Sequence, residues 1–88
     1  MRIIYCNLQL FSNDQMIHVI DTDTSITHYQ KVDIEDLPQA ICALASEYGV
    51  ENVKLSGTGS VYADAWAEEI RSALALNYQN NNIIVEVV

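Results

Sequence analysis

Asp36-Leu37-Pro38-Gln39-Ala40-Ile41-Cys42-Ala43-Leu44-Ala45-Ser46-Glu47-Tyr48-Gly49 is the stretch at which the periodicity of this chain changes. Leu37, Ile41, Leu44, Ala45 and Tyr48 recur at helical spacing and make one apolar stripe. Asp36 suits an N-cap, Gln39 stands at the capping-box position, and Pro38 falls in the first turn, where its missing N–H costs nothing. Gly49 is the expected stop. Upstream the period is two. Ile4, Cys6, Leu8 and Leu10 alternate with Tyr5, Asn7, Gln9 and Phe11 across a first strand from Arg2 to Phe11. Ser12 to Gln15 reads as a polar turn, Met16–Ile20 as a second strand, Asp21–Thr24 as a second turn and Ser25–Val32 as a third strand. That third strand carries His28, Gln30 and Lys31 and is polar enough to be a sheet edge.

Downstream, Asn52–Ser56 reads as a strand and Gly57-Thr58-Gly59 as a turn. A second helix follows from about Ser60 to Asn77, and the β-branched run Ile83–Val88 is a final strand. The inner stripe of the second helix is Ala63, Ala67, Ile70 and Leu74. Tyr62, Trp66 and Ala73 flank that stripe, and Glu68 pairs with Arg71 on the outer face. The order β-β-β-α-β-α-β predicts a single α/β domain over residues 1–88. Its mixed five-stranded sheet has strand order 3-2-1-4-5, with right-handed crossovers in the second half and helices on at least one face.

The 88 residues carry 12 Asp+Glu against 4 Lys+Arg, a net charge of −8. Phosphate neutralisation needs the cations that are scarce here, so direct nucleic-acid binding is not expected. Half the residues are hydrophobic, which argues against a disordered chain. No run approaches the ~20 apolar residues of a membrane span, and Met1–Cys6 suits a strand better than a signal peptide. Cys6 and Cys42 sit in apolar settings and read as reduced, buried thiols of a cytoplasmic protein.

This element order resembles the ribonuclease H-like superfamily, which includes the halves of actin-like ATPases. The likeness covers nearly the whole chain and is one of topology. In the nucleases it implies carboxylates that hold two metal ions, in the middle of the first strand, on the first helix and at the end of the fourth strand. The first strand here has no Asp or Glu, and the fourth ends at Leu55-Ser56. Glu47 on the first helix is the remaining candidate. On the ATPase side, Leu55-Ser56-Gly57-Thr58-Gly59-Ser60 resembles the strand–turn–helix that contacts adenosine. The matching phosphate loop, an acidic residue with Gly and Thr after the first strand, is absent, and Ser12-Asn13-Asp14 is a poor substitute. The overall character is similar to that of small phage and prophage proteins.

Five residues make the leading ligand site: Ser56, Gly57, Thr58, Gly59 and Ser60 form a strand-to-helix turn that can aim backbone N–H groups at an anion. The same glycines equally serve a tight turn, with Thr58 or Ser60 as N-cap. Tyr62, Trp66 and Tyr29 are interface candidates, with core cover as the alternative for the first two and strand addition as the mode for the third. Asp21, Asp23, Asp33, Glu35 and Asp36 read as caps and solvated surface. His18 and His28 fall on adjacent strands and would face each other across the hairpin, with no third metal ligand in view.

The main expectation is a non-catalytic acidic interaction or assembly protein with a protein partner or a second copy of itself as a homo-oligomer. Such a surface can dock on basic patches, including those that bind nucleic acid. No cofactor and no metal are expected. The alternatives are a small-ligand or nucleotide-binding domain using Ser56–Ser60, and a diverged nuclease or hydrolase using Glu47.

Overall fold

The computed structural model describes residues 1–9, 11–57, 60–77 and 83–88, with only the backbone described at 60, 61 and 77. Its elements are β1 (Arg2–Leu8), β2 (Asp14–Asp21), β3 (Ile26–Asp33), one 3-10 turn (Ile34–Asp36), α1 (Leu37–Tyr48), β4 (Asn52–Gly57), α2 (Ser60–Asn77) and β5 (Ile84–Val87). They form one five-stranded sheet in the order β3-β2-β1-β4-β5. The β1–β2 and β2–β3 pairs are antiparallel, and β1–β4 and β4–β5 are parallel.

The register explains where the core sits. Ile4 pairs with Val19 on one side and Val53 on the other, Cys6 pairs with Ile17 and Leu55, and Val53 pairs with Val85. All these residues are buried, as are Leu37, Ile41 and Leu44 of α1 and Ala63, Ala67, Ile70 and Leu74 of α2. Both helices therefore lie on one face of the sheet, in contact with each other. The opposite parity, Ile3, Tyr5, Met16 and His18, is only half-buried. One row crosses all five strands on that open face: Tyr29, His18, Tyr5, Lys54 and Glu86.

Three local expectations need correction. First, β1 stops at Leu8 instead of running to Phe11, which is almost fully exposed. Gln15 belongs to β2 and not to the preceding turn, and just past the end of β1 its amide bonds the backbone of Gln9 and Ser12, which engages Gln9 outside the ladder. Second, Asp36 makes no side-chain cap bond to α1. Asp33 does the capping one turn earlier, its carboxylate accepting from the Glu35 N–H at 3.0 Å to start the 3-10 turn that feeds α1. Third, His18 pairs with Tyr29 and His28 with Val19, so the two imidazoles lie on opposite faces of the sheet. His18 stacks on Tyr29 at 5.2 Å and His28 on Tyr48 at 5.6 Å. Elsewhere Gly49 adopts φ 66° and its N–H donates to the Ala45 carbonyl, the expected left-handed helix stop.

Cys6 and Cys42 are both buried. Burial pushes the Cys6 thiol up from 9.0 to about 11, because a thiolate there would lose its hydration. The folded chain therefore holds this proton more tightly than the unfolded chain. Stability should be unaffected below about pH 8 and decline between about pH 9 and 11, as the unfolded state ionises first. Urea denaturation midpoints measured across that range should show the decline, and Cys6→Val should flatten it. The same burial predicts that a thiol reagent modifies Cys6 only when the chain opens.

Candidate functional site

The carboxyl ends of β1 and β4 lie side by side, with Asn7 beside Ser56 and Leu8 beside Gly57. Here the sheet opens into a hollow of about 900 Å³ edged by Asn7, Gln9, Ser12, Ser56 and Gly57. Two of these residues, Ser56 and Asn7, belong to a short hydrogen-bonded chain that begins at Tyr5. Ser56 Oγ donates to Asn7 Oδ1 at 3.3 Å, which leaves the Tyr5 hydroxyl as donor to Ser56 Oγ at 2.7 Å. Gly57 lies close against the backbone of β1 at Leu8. Its φ is 148°, and a Cβ built there would lie 2.6 Å from the Leu8 carbonyl oxygen. The glycine thus serves the strand contact with Leu8. Thr58 and Gly59 lie outside the described residues, as does the Ser60 side chain, so the proposed anion-binding turn is described only through Ser56 and Gly57.

Glu47 does not join this cluster. It precedes Tyr48, whose carbonyl accepts a 2.8 Å bond from the Arg2 guanidinium at the amino end of β1. Asn7 and Ser56 sit at the other end of that strand pairing. The polar side chains on the hollow's wall, Asn7, Gln9, Ser12 and Ser56, are neutral amides and hydroxyls, a poor donor set for hard divalent cations, which favour carboxylates. Among the described residues, no group of three or more His, Cys, Asp or Glu side chains lies close enough together to hold a metal. The two-metal arrangement of the resembled nucleases does not fit these residues.

The aromatic candidates separate into two places. Tyr62 and Trp66, one turn apart on α2, are half-buried and line a second hollow of about 510 Å³ together with Glu35, Pro38, Ala65 and Glu69. Tyr29 is well exposed on edge strand β3, over the open sheet face, away from the helix layer. Two residues central to these places were not singled out by sequence. Gln15 is fully buried and bonds the β1–β2 connection. The available signal was parity, since it falls on the inward alternation with Ile17 and Val19. Glu69 follows Tyr62 and Trp66 at helical spacing, and only the packing of the 3-10 turn brings Glu35 to the same hollow.

Charge is arranged unevenly. Each of the four Lys and Arg side chains has an acidic partner: Arg2 with Asp21, Lys31 with Asp14, Lys54 with Glu86, and Arg71 with Glu68. Three of these pairs lie on the strands. The carboxylates outside such pairs include Asp33, Glu35, Asp36, Asp64 and Glu69, on the approach to α1 and on α2.

No protein-family model matches the chain, and no curated protein does. Among solved structures it is similar to RNase H1 from the halophilic archaeon Halobacterium salinarum NRC-1, with a TM-score of 0.58 and 15% identity over 99% of this chain and 84% of that one. The strand order and both helices agree with that likeness, and the fold is ribonuclease H-like. Among the described residues, no helix is long and apolar enough to cross a membrane.

Proposed function

We propose that this chain is a non-catalytic interaction domain that uses a ribonuclease H-like scaffold to present an acidic surface to basic protein partners. The observation that carries this reading is the segregation of charge. The cations are spent within the chain, while carboxylates on the helical side stay uncompensated. Such a field steers basic partners in and repels phosphate backbones. Tyr5 in the middle of β1 and Ser56 near the end of β4 support the non-catalytic part, since these neutral side chains stand where the fold's nucleases need carboxylates.

The test is a series of synthetic peptides of rising positive charge. Affinity should rise with peptide charge and drop at least about tenfold between 50 and 300 mM salt, because the pairing is surface-exposed and screened. Failure of every basic peptide to bind at low salt overturns the reading. So does metal-dependent cleavage of an RNA–DNA hybrid that disappears in Glu47→Gln.

A second reading, a small polar ligand in the hollow between β1 and β4, is favoured by the hydroxyl and amide groups on its wall. A thermal-shift screen of nucleotides and phosphates checks it. A ligand that stabilises the wild type but not Ser56→Ala supports it, and no shift with any compound removes it.

A further inference from the structure

We propose that the groove between the first turn of α1 and the flank of α2 seats an arginine-bearing segment of a different protein, with the guanidinium on Trp66 and between Glu35 and Glu69. This inference rests on the acidic-interaction reading above and names the place and chemistry through which it works. Pro38, Tyr62 and Trp66 supply the apolar and aromatic surface of the hollow. The two carboxylates come from different elements, Glu35 from the 3-10 turn and Glu69 from α2, and both edge the same space. They also edge an adjoining hollow of about 280 Å³ that continues past Ser72 to Leu76. At about 1.5 Å per residue, the α2 wall from Tyr62 to Leu76 runs roughly 21 Å, the length of about six extended residues.

The occupant follows from charge and shape. Two acids, an indole and a phenol lining one hollow suit a cation, and a planar guanidinium can stack on the ring while bonding carboxylates at its edge. A compact ammonium reaches the same charge without the stacking. The chain does not provide that cation itself, because each of its Lys and Arg side chains is paired elsewhere. A second copy would bring a further net charge of −8. A nucleic acid would bring phosphates of the same sign as the groove. A basic segment of another protein is the partner that the charge favours.

Trp66 is the sole tryptophan, so its emission reports on this groove directly. The probe is an acetylated, amidated peptide of three Arg-Ala repeats, titrated at low salt. Wild type should show a saturable change in emission. The double variant Glu35→Gln/Glu69→Gln should bind at least about tenfold more weakly. The control Glu47→Gln/Glu51→Gln, with the same net charge, should change affinity less than about twofold if the site is local. All four acids are exposed, so these near-isosteric changes preserve the fold. Trp66→Leu, followed by anisotropy of a labelled peptide, should weaken binding several-fold, and a lysine version of the peptide should bind more weakly than the arginine one. Equal loss in the two double variants overturns the groove and leaves the broader acidic-surface reading standing. No binding of the peptide by wild type overturns both.

Discussion

Gly57→Ala should lower the stability of this protein by about 3 kcal/mol, the largest loss expected from adding a single methyl group. Two costs combine. At φ 148° the backbone is in a region that L side chains rarely adopt, which alone is worth roughly 1–3 kcal/mol. The new Cβ would also lie 2.6 Å from the Leu8 carbonyl oxygen and 3.2 Å from its nitrogen. Both are backbone atoms of β1, so they cannot rotate aside as a side chain would. Relief requires β4 to separate from β1 at the end of their parallel pairing, beside the hollow lined by Asn7 and Ser56. Gly49 is the internal control. It too has positive φ, at 66°, but nothing lies within 4 Å of its would-be Cβ. Gly49→Ala should cost only about 1 kcal/mol. For a domain of this size the two variants should differ in melting temperature by roughly 10 °C, since each kcal/mol is worth about 4–8 °C. Equal melting temperatures would show that the β1–β4 contact is not as tight as described.

Gln15→Ala should cost about 2 kcal/mol, and Gln15→Glu more at neutral pH. The Gln15 amide is fully buried and makes three bonds to backbone. Oε1 accepts from the Gln9 N–H at 2.7 Å, and Nε2 donates to the carbonyls of Gln9 and Ser12 at 3.0 and 2.9 Å. Alanine removes the side chain and leaves these groups to water or to no partner. Glutamate keeps the acceptor but turns a carboxylate toward two carbonyl oxygens in a buried place. Its proton would be held more tightly in the folded state, so the Gln15→Glu penalty should shrink as pH falls below about 5. Denaturant melts of both variants at neutral and acidic pH check the ordering. A Gln15→Glu variant as stable as wild type at pH 7 would remove this residue from its role in closing the β1–β2 connection.

The helices were readable because their signals are local and redundant. In α1 the apolar stripe, Pro38 and Gly49 each mark the same element, and in α2 the buried set Ala63, Ala67, Ile70 and Leu74 falls on the anticipated side. Strand ends were less readable. Alternation continues through Gln9 and Phe11, and nothing nearby says that a side chain six positions on from Gln9 will engage it outside the ladder. The cap of the first helix failed for a similar reason. Asp33 and Asp36 are equivalent in sequence terms, and the choice between them depends on the 3-10 turn, which is anchored by the Ile34 N–H on the Asn13 carbonyl.

The sites divide in the same way. Ser56 and Gly57 stood out because glycine between a strand and a helix is a local signal. What Gly57 meets there, the β1 backbone, is a contact between residues 49 apart. Tyr62 and Trp66 are neighbours by helical period alone, and Glu69 follows from the same period. Glu35 joins them only because α1 and α2 pack on one face of the sheet.

By itself, then, the sequence determined the element order, the inward parity of most strand positions, the strongly acidic balance and the absence of Asp and Glu from β1 and β4. Those are properties of periodicity and composition, carried within a few residues or summed over all of them. Tertiary structure decided which strand ends meet, which aspartate caps, which face of the sheet is left open, and which two carboxylates converge beside Trp66. These depend on register and helix packing, where each residue's neighbour is chosen by the burial of the whole apolar face and not by its place in the chain.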